Sequence, residues 1–392
     1  MLLDGWSLTP EVVHLNHGSF GATPRSVLAV QDRWRQMFHR DPTSYVVDRW
    51  ETALDAAREV LCKVVGADPG SLVFIPNTTT GVNSVVRSLD FRAGDEILTT
   101  DHIYNACRNV LEFVAGRTGA RVVIATVPFP LSSADEVVAG VMDRVTTRTR
   151  FALLDHVTSA TGLVLPIERL VSLLERQGVL VMVDGAHAPG MVSLNIEKLA
   201  PSFYAGNCHK WLCAPPGSAF LWVRPDLANL ITPPAISHGA NDPRTDRPRL
   251  HLLFDYPGTI DPTGYLAVPA AINFLNSLHP DMLPGVMAAN RQLALKARTM
   301  LCDIVGTPPA APDDMIGSLA AVTLPPGRGE PPPGFIDPLT RVLLEEWRIQ
   351  VPVFIWPTWP RRDLRVSAAP YNEVGDYSLL IEALAVELPR AA

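Results

Sequence analysis

The sequence predicts an α/β protein: a mainly parallel seven-stranded sheet covered on both faces, followed by a smaller α+β C-terminal domain. Three observations carry this expectation. Short apolar, β-rich runs alternate with helix-length segments over the first two thirds of the chain. Those runs are apolar throughout rather than alternating, which suits strands buried on both faces. After Pro262 the strand pattern gives way to long helical segments and a Pro-rich loop.

The elements follow in order. Residues 47–65 place Val47, Trp50, Leu54, Ala57, Leu61 and Val64 on one helical face, a core face. Strands are expected at 72–75, 96–99, 121–126, 151–154, 179–183 and 219–223, with a seventh short strand just before Lys210. Between the first two, Asn77-Thr-Thr-Thr-Gly-Val-Asn83 reads as a hydroxyl-rich turn opening a helix. Helices are expected near 265–278 and 285–305. A Pro-rich loop at 324–334 follows, as a surface connector or a substrate-entrance wall, and then a strand carrying Arg365. The division is a segment 1–20 that joins the small domain, a large domain 21–262 and a C-terminal domain 263–392.

Composition narrows the function classes. A chain of 392 residues with 47% hydrophobic content can bury a large core. A net charge of −7 without a basic run argues against nucleic acid as the main partner. No run approaches membrane-spanning length and no basic-then-apolar leader opens the chain, so a soluble cytoplasmic protein is expected. Five cysteines, an odd number without metal-ligand spacing, suggest free thiols in a reducing compartment and no metal.

The chemistry centres on a lysine. The chain has only four, Lys63, Lys198, Lys210 and Lys296, against 29 arginines, so a retained lysine invites a task for a primary amine. Lys210 follows a short strand and precedes a Pro/Gly turn. Imine formation with a carbonyl is the leading task, and a solvated turn lysine is an equal alternative on this segment alone. Upstream, Gly178-Val-Leu-Val-Met-Val-Asp184-Gly-Ala-His187 ends a buried strand in a carboxylate at the mouth of a crevice. The spacing of 26 residues allows adjacent strands to aim Asp184 and Lys210 into one site.

These motifs resemble the fold-type I pyridoxal-phosphate (PLP) enzymes of aminotransferase class V, in the branch that holds isopenicillin N epimerase-like enzymes and carbon–sulfur lyases. The likeness runs from Leu15-Asn-His-Gly-Ser-Phe-Gly21 to Leu364-Arg-Val-Ser367. It implies that Lys210 holds PLP covalently and then moves protons at Cα, and that Asp184 pairs with the pyridine nitrogen. A carboxylate beside a cation is expected to titrate low there. His187 matches the contact to the phenolic oxygen, and Ser159 lies where desulfurases carry an asparagine beside the ring. Thr79 and Thr80 match phosphate contacts at a helix N-terminus. Asn207 and His209 match the serine and histidine before the lysine. Tyr104, with His102 behind it, matches the ring-stacking residue. Thr259, in a Gly-Thr loop, implies a reach to the phosphate of a neighbouring subunit and hence a homodimer with shared sites. Arg365 matches the clamp on the substrate α-carboxylate, with Asn16 and His17 lining the same pocket.

The reaction is less determined than the cofactor. No cysteine lies between residues 303 and 365, which argues against a persulfide-forming desulfurase. The favoured reading is β-elimination from an S-substituted cysteine conjugate in natural-product or antibiotic biosynthesis. Epimerisation of an amino acid with Tyr104 as second acid, decarboxylation-coupled oxidative deamination, and classical transamination stand behind it. Outside enzymes, the alternative is an inactive sensor or partner module of the same fold.

Overall fold

Seven apolar runs build the central sheet: β1 (Leu72–Ile75), β2 (Glu96–Thr100), β3 (Arg121–Ala125), β4 (Thr149–Asp155), β5 (Leu180–Gly185), β6 (Phe203–Asn207) and β7 (Ala219–Val223). They are taken from a computed structural model that describes residues 2–391; residues 1 and 392, the outer ends of the expected terminal segments, lie outside the described residues. The order is β1-β7-β6-β5-β4-β2-β3. From β6 to β3 every pairing is parallel, and β7 alone runs antiparallel to both its neighbours. The reason is the short β6–β7 connection, which returns the chain without a crossover helix. That connection carries Lys210.

Side chains alternate between two apolar layers. Val181, Val183, Tyr204 and Trp222 enter one core, whereas Met182, Phe203, Ala205 and Leu221 enter the other. Helices α1 (Arg25–Arg40) and α2 (Trp50–Val65) pack on the first side, α3 (Thr78–Ser88) and α4 (Asn105–Thr118) on the second. The expected helix at 47–65 needs one correction. Residues 45–49 form a π-turn, and α2 starts only at Trp50. The wider turn rotates Tyr45 inward and leaves Val47 75% exposed. Val64 is only partly buried, and Cys62 and Val65 complete the face instead.

α2 is also tied down electrostatically. Arg58 reaches both Asp255 oxygens at 2.6 and 2.8 Å, and Arg247 bridges Asp55 and Asp255. Ligand atoms of Asp55, His251 and Asp255 meet there, but the two guanidinium groups already occupy the carboxylates, so this cluster reads as an ion network.

The C-terminal part begins with α5 (Val268–Ser277) and α6 (Met282–Val305). Strands β8 (Leu319–Thr323), β9 (Val353–Ile355) and β10 (Arg362–Ser367) form an antiparallel sheet in the order β9-β10-β8, beside helices Leu339–Trp347 and Val374–Ala391. The N-terminal segment is stitched onto it: Val13–His14 pairs with Ile349–Gln350, and the Ser367 amide donates to the Leu15 carbonyl. The Pro-rich loop packs against Trp359 and accepts from Arg362 through the Pro325 carbonyl. It does not line the Lys210 cavity. Among the described residues no helix is long and apolar enough to cross a membrane.

Candidate active site

The site lies where the parallel strands end. β5 delivers Asp184, β4 runs into Asp155 and Ser159, and β6 ends at Asn207 before turning through His209 to Lys210. α3 opens opposite them. Asn77 caps it by accepting the Thr80 amide at 2.9 Å, so the first-turn amides of the helix face the crevice. A cavity of about 330 Å³ results, within the size range of small-molecule sites.

Eight of the expected residues line this cavity: Thr79, Tyr104, Ser159, Asp184, His187, Asn207, His209 and Lys210. Asn207 accepts from the amide and hydroxyl of Thr78, both at 3.0 Å, which leaves its own amide NH2 without a protein partner among the described residues. His209 donates from Nδ1 to the Ser218 carbonyl at 2.8 Å. Burial lowers its pKa to about 4, so it stands neutral.

The others are placed differently. Thr80 turns its hydroxyl onto Asn77 and stays out of the cavity, because the cap claims it. His102 is buried behind the wall, bonded to Thr161 and the Val127 carbonyl and packed on Trp356 at 4.3 Å. It therefore has no open face for a ring, whereas Tyr104 is 47% exposed at the mouth. His17 does not line the pocket either. Its Nε2 donates to the Lys210 carbonyl and its Nδ1 accepts from Tyr371, each at 3.0 Å, so it anchors the lysine's backbone. Nearby, Gly21 has φ +72° and lies so close to the His209 carbonyl that any side chain would collide with it. Thr259 sits in a separate hollow with Arg35, Phe38 and Asp261, away from the Lys210 cavity of its own chain.

Lys210 is the centre of the electrostatics. Its Nζ lies 3.1 Å from His187 Nε2, and Trp211 Nε1 donates to His187 Nδ1 at 3.4 Å. A neutral imidazole has one N–H; with Nδ1 accepting, that hydrogen sits on Nε2 and points at an amine that accepts it. Burial and then Arg365 lower Lys210 to about 7, and burial and then Lys210 push His187 well below the usual histidine range. His187 therefore stands neutral, and Lys210 reaches neutrality near physiological pH. Asp184 is pulled in two directions. Burial dominates and moves it up, against the Cys107 thiol, the Ala186 amide and Lys210, which favour the charge. Sequence reading missed Cys107 and Trp211, whose roles depend on contacts remote in the chain or on ring direction.

Arg365 lies just behind this wall. Its guanidinium donates to the Ser159 carbonyl, to Asn16 Oδ1 at 3.1 Å and to Ser19 Oγ at 3.0 Å, and stacks 4.9 Å over Phe354. Asn16 thus orients the arginine rather than lining the cavity. Among the described residues no carboxylate lies within salt-bridge distance of Arg365, its Nε is buried without a partner, and burial lowers it to about 10. A desolvated cation without a counter-ion fits an anionic ligand.

The aminotransferase class-V family model matches residues 23–304. The chain belongs to that family. Members use PLP, and this chain is a PLP-dependent class V enzyme. The chain is 34% identical to isopenicillin N epimerase of Streptomyces clavuligerus, over 98% of this chain and 96% of the relative. It is 29% identical to a probable chloroplastic L-cysteine desulfhydrase of Arabidopsis thaliana, over 96% and 82% respectively. A solved structure of the cystine C–S lyase C-DES with its product cysteine persulfide superposes with a TM-score of 0.79 at 22% identity, covering 96% of this chain and 98% of that one. The fold is accordingly that of the fold-type I PLP enzymes. The residues present fit the cofactor: an amine in a cavity at the strand ends, a buried carboxylate, an open helix N-terminus for a phosphate, and an unpaired NH2 on Asn207 beside it.

Proposed function

We propose that the protein is a carbon–sulfur lyase that cleaves an S-substituted cysteine conjugate, with natural-product biosynthesis as its setting. The observation that carries this reading is the Lys210 amine, half-buried, lowered to about 7 and bonded to His187, and so available as a base at neutral pH. Bound PLP supplies an electron sink for the pair left at Cα. Lys210 would anchor the cofactor, and its amine would take the substrate's Cα proton. Asp184 would hold the ring nitrogen, His187 and Ser159 the ring's phenolic oxygen, and Tyr104 the ring itself. Thr79, the α3 amides and Asn207 would hold the phosphate, with His209 beside them. Arg365, steadied by Asn16, Ser19 and the Ser159 carbonyl, holds the α-carboxylate and sets the pose of the Cα–H bond. The thiolate then leaves from Cβ, and water completes conversion to thiol, pyruvate and ammonia. No cysteine nucleophile is required, in keeping with the absence of cysteine from 303–365.

Epimerisation is the second reading, favoured by the 34% identity to isopenicillin N epimerase and by the Tyr104 phenol in the same cavity as Lys210. We further propose a cytoplasmic homodimer in which Thr259 of each copy completes the other's phosphate site, since Thr259 cannot do so in its own chain. The test is incubation of the PLP-loaded enzyme with S-substituted cysteines in deuterated water. Pyruvate with released thiol is the expected result. Deuterated, inverted substrate without fragmentation would replace the lyase by an epimerase, and carbon dioxide with oxygen uptake by an oxidative deaminase.

A further inference from the structure

Asp155 has no task in this scheme, yet it lines the Lys210 cavity and is almost wholly buried. β4 and β5 run parallel with Asp155 opposite Asp184, so the two carboxyl groups leave the same face of the sheet on neighbouring strands. Their surroundings differ. Asp184 accepts the Ala186 amide at 3.0 Å through Oδ1 and the Cys107 thiol at 3.1 Å through Oδ2. Oδ2 of Asp155 is buried and has no partner. The groups that face Asp155 are Asp184 from β5, the Tyr104 amide and Cys107 thiol at the start of α4, and Lys210 from the β6–β7 connection. Two adjacent buried carboxyls do not both ionise readily, and the charge settles on the one whose two oxygens both have donors. Burial and the neighbouring Asp184 push Asp155 well above the usual carboxylate range.

We propose that Asp155 is an additional cofactor-binding residue, standing as a neutral carboxylic acid that donates its hydrogen into the Lys210 cavity beside the ionised Asp184. The ring-binding wall then offers one donor and one acceptor and carries a single negative charge. The cofactor half of this inference rests on the PLP reading above; the protonation half does not.

The two halves are tested separately. Infrared difference spectra in deuterated water, wild type minus Asp155→Asn, are recorded on cofactor-free protein at neutral pH. A carboxylic-acid C=O band is expected, and a carboxylate stretch in its place would overturn the proposal. Stability gives the same answer by linkage. An acid whose folded pKa is raised keeps a proton that the unfolded chain releases above about pH 4, so wild type loses stability as pH rises through that point. Asp155→Asn should therefore melt like wild type near that pH and progressively higher above it, and parallel curves would count against a neutral Asp155. For the cofactor, Asn retains a donor and should bind PLP within about threefold of wild type, whereas Asp155→Val should bind about tenfold more weakly. Valine binding as tightly as wild type would remove Asp155 from the cofactor site. If Asp155→Asn does not fold, Asp155→Ser serves the infrared and melting arms. Failure of wild type itself to bind PLP would sink the functional reading while leaving the infrared result standing.

Discussion

At the scale of single residues, Lys210 and Arg365 are both basic groups drawn away from bulk water, Arg365 fully and Lys210 in part, and desolvation lowers the pKa of each. For Lys210 the consequence is measurable without substrate. Competitive acylation of cofactor-free protein should give Lys210 a reactivity midpoint of about 7, and a midpoint in the ordinary lysine range would contradict a desolvated amine. The sign for stability is the reverse of a paired lysine. Its folded pKa lies below the unfolded value, so this group costs stability in full below about 7, and that cost is relieved progressively as pH rises from about 7 to the unfolded value of 10.5. Lys210→Ala should abolish the yellow absorbance of lysine-bound PLP. Arg365→Ala should keep that absorbance and weaken amino-acid binding by one to two orders of magnitude, about the worth of a charge-assisted pair. Arg365→Lys should not restore it fully, because the ammonium lacks the planar fork that Ser159, Asn16 and Ser19 now brace. Loss of cofactor from Arg365→Ala would remove its carboxylate role.

At the scale of elements, the phosphate end depends on how α3 begins. Asn77 accepts both the amide and the hydroxyl of Thr80, which fixes the first turn and leaves Thr79 at the cavity. Asn77→Ala should cost about 1 kcal/mol in thermal or denaturant unfolding and weaken PLP binding together with it. An unchanged melting curve would mean that the cap is not what holds the turn. The neighbouring threonines were indistinguishable in sequence because both fall in the first turn; which hydroxyl the cap consumes depends on the rotation of the helix. Tyr104 and His102 likewise stand two residues apart past one strand end. The contacts of His102 to Thr161, Val127 and Trp356 come from distant segments and take that ring into the core.

For the whole molecule, the division of labour runs between the central sheet, which carries Asp184 and Lys210, and β10 with the N-terminal segment, which carry Arg365 and its braces. The N-terminal Leu15 is hydrogen-bonded to both Gln350 and Ser367, so the substrate-binding arginine and Asn16 are held as one piece. The position of Thr259 in a separate hollow leads to a prediction about assembly. Mixing Lys210→Ala with Thr259→Ala subunits should regenerate one intact site per mixed dimer and restore activity above the sum of the parents. A monomer by sedimentation, or no gain on mixing, would rule out shared sites.

The sequence by itself determined the sheet, its parallel character and the placement of Asp184 and Lys210. Those depend on local apolar runs and on strand ends, which are written in consecutive residues. It also signalled the family, through motifs that survive as short strings. Asp155 stood in plain view at the head of its motif, but its opposition to Asp184 and its missing partner exist only once β4 and β5 pair. The same holds for Val47, turned outward by a π-turn, and for His17, whose two ring nitrogens are claimed by residues 193 and 354 positions away. Tertiary structure decided these because hydrogen-bond satisfaction and desolvation are properties of what surrounds a side chain, and here the surroundings come from segments that meet only in the folded chain.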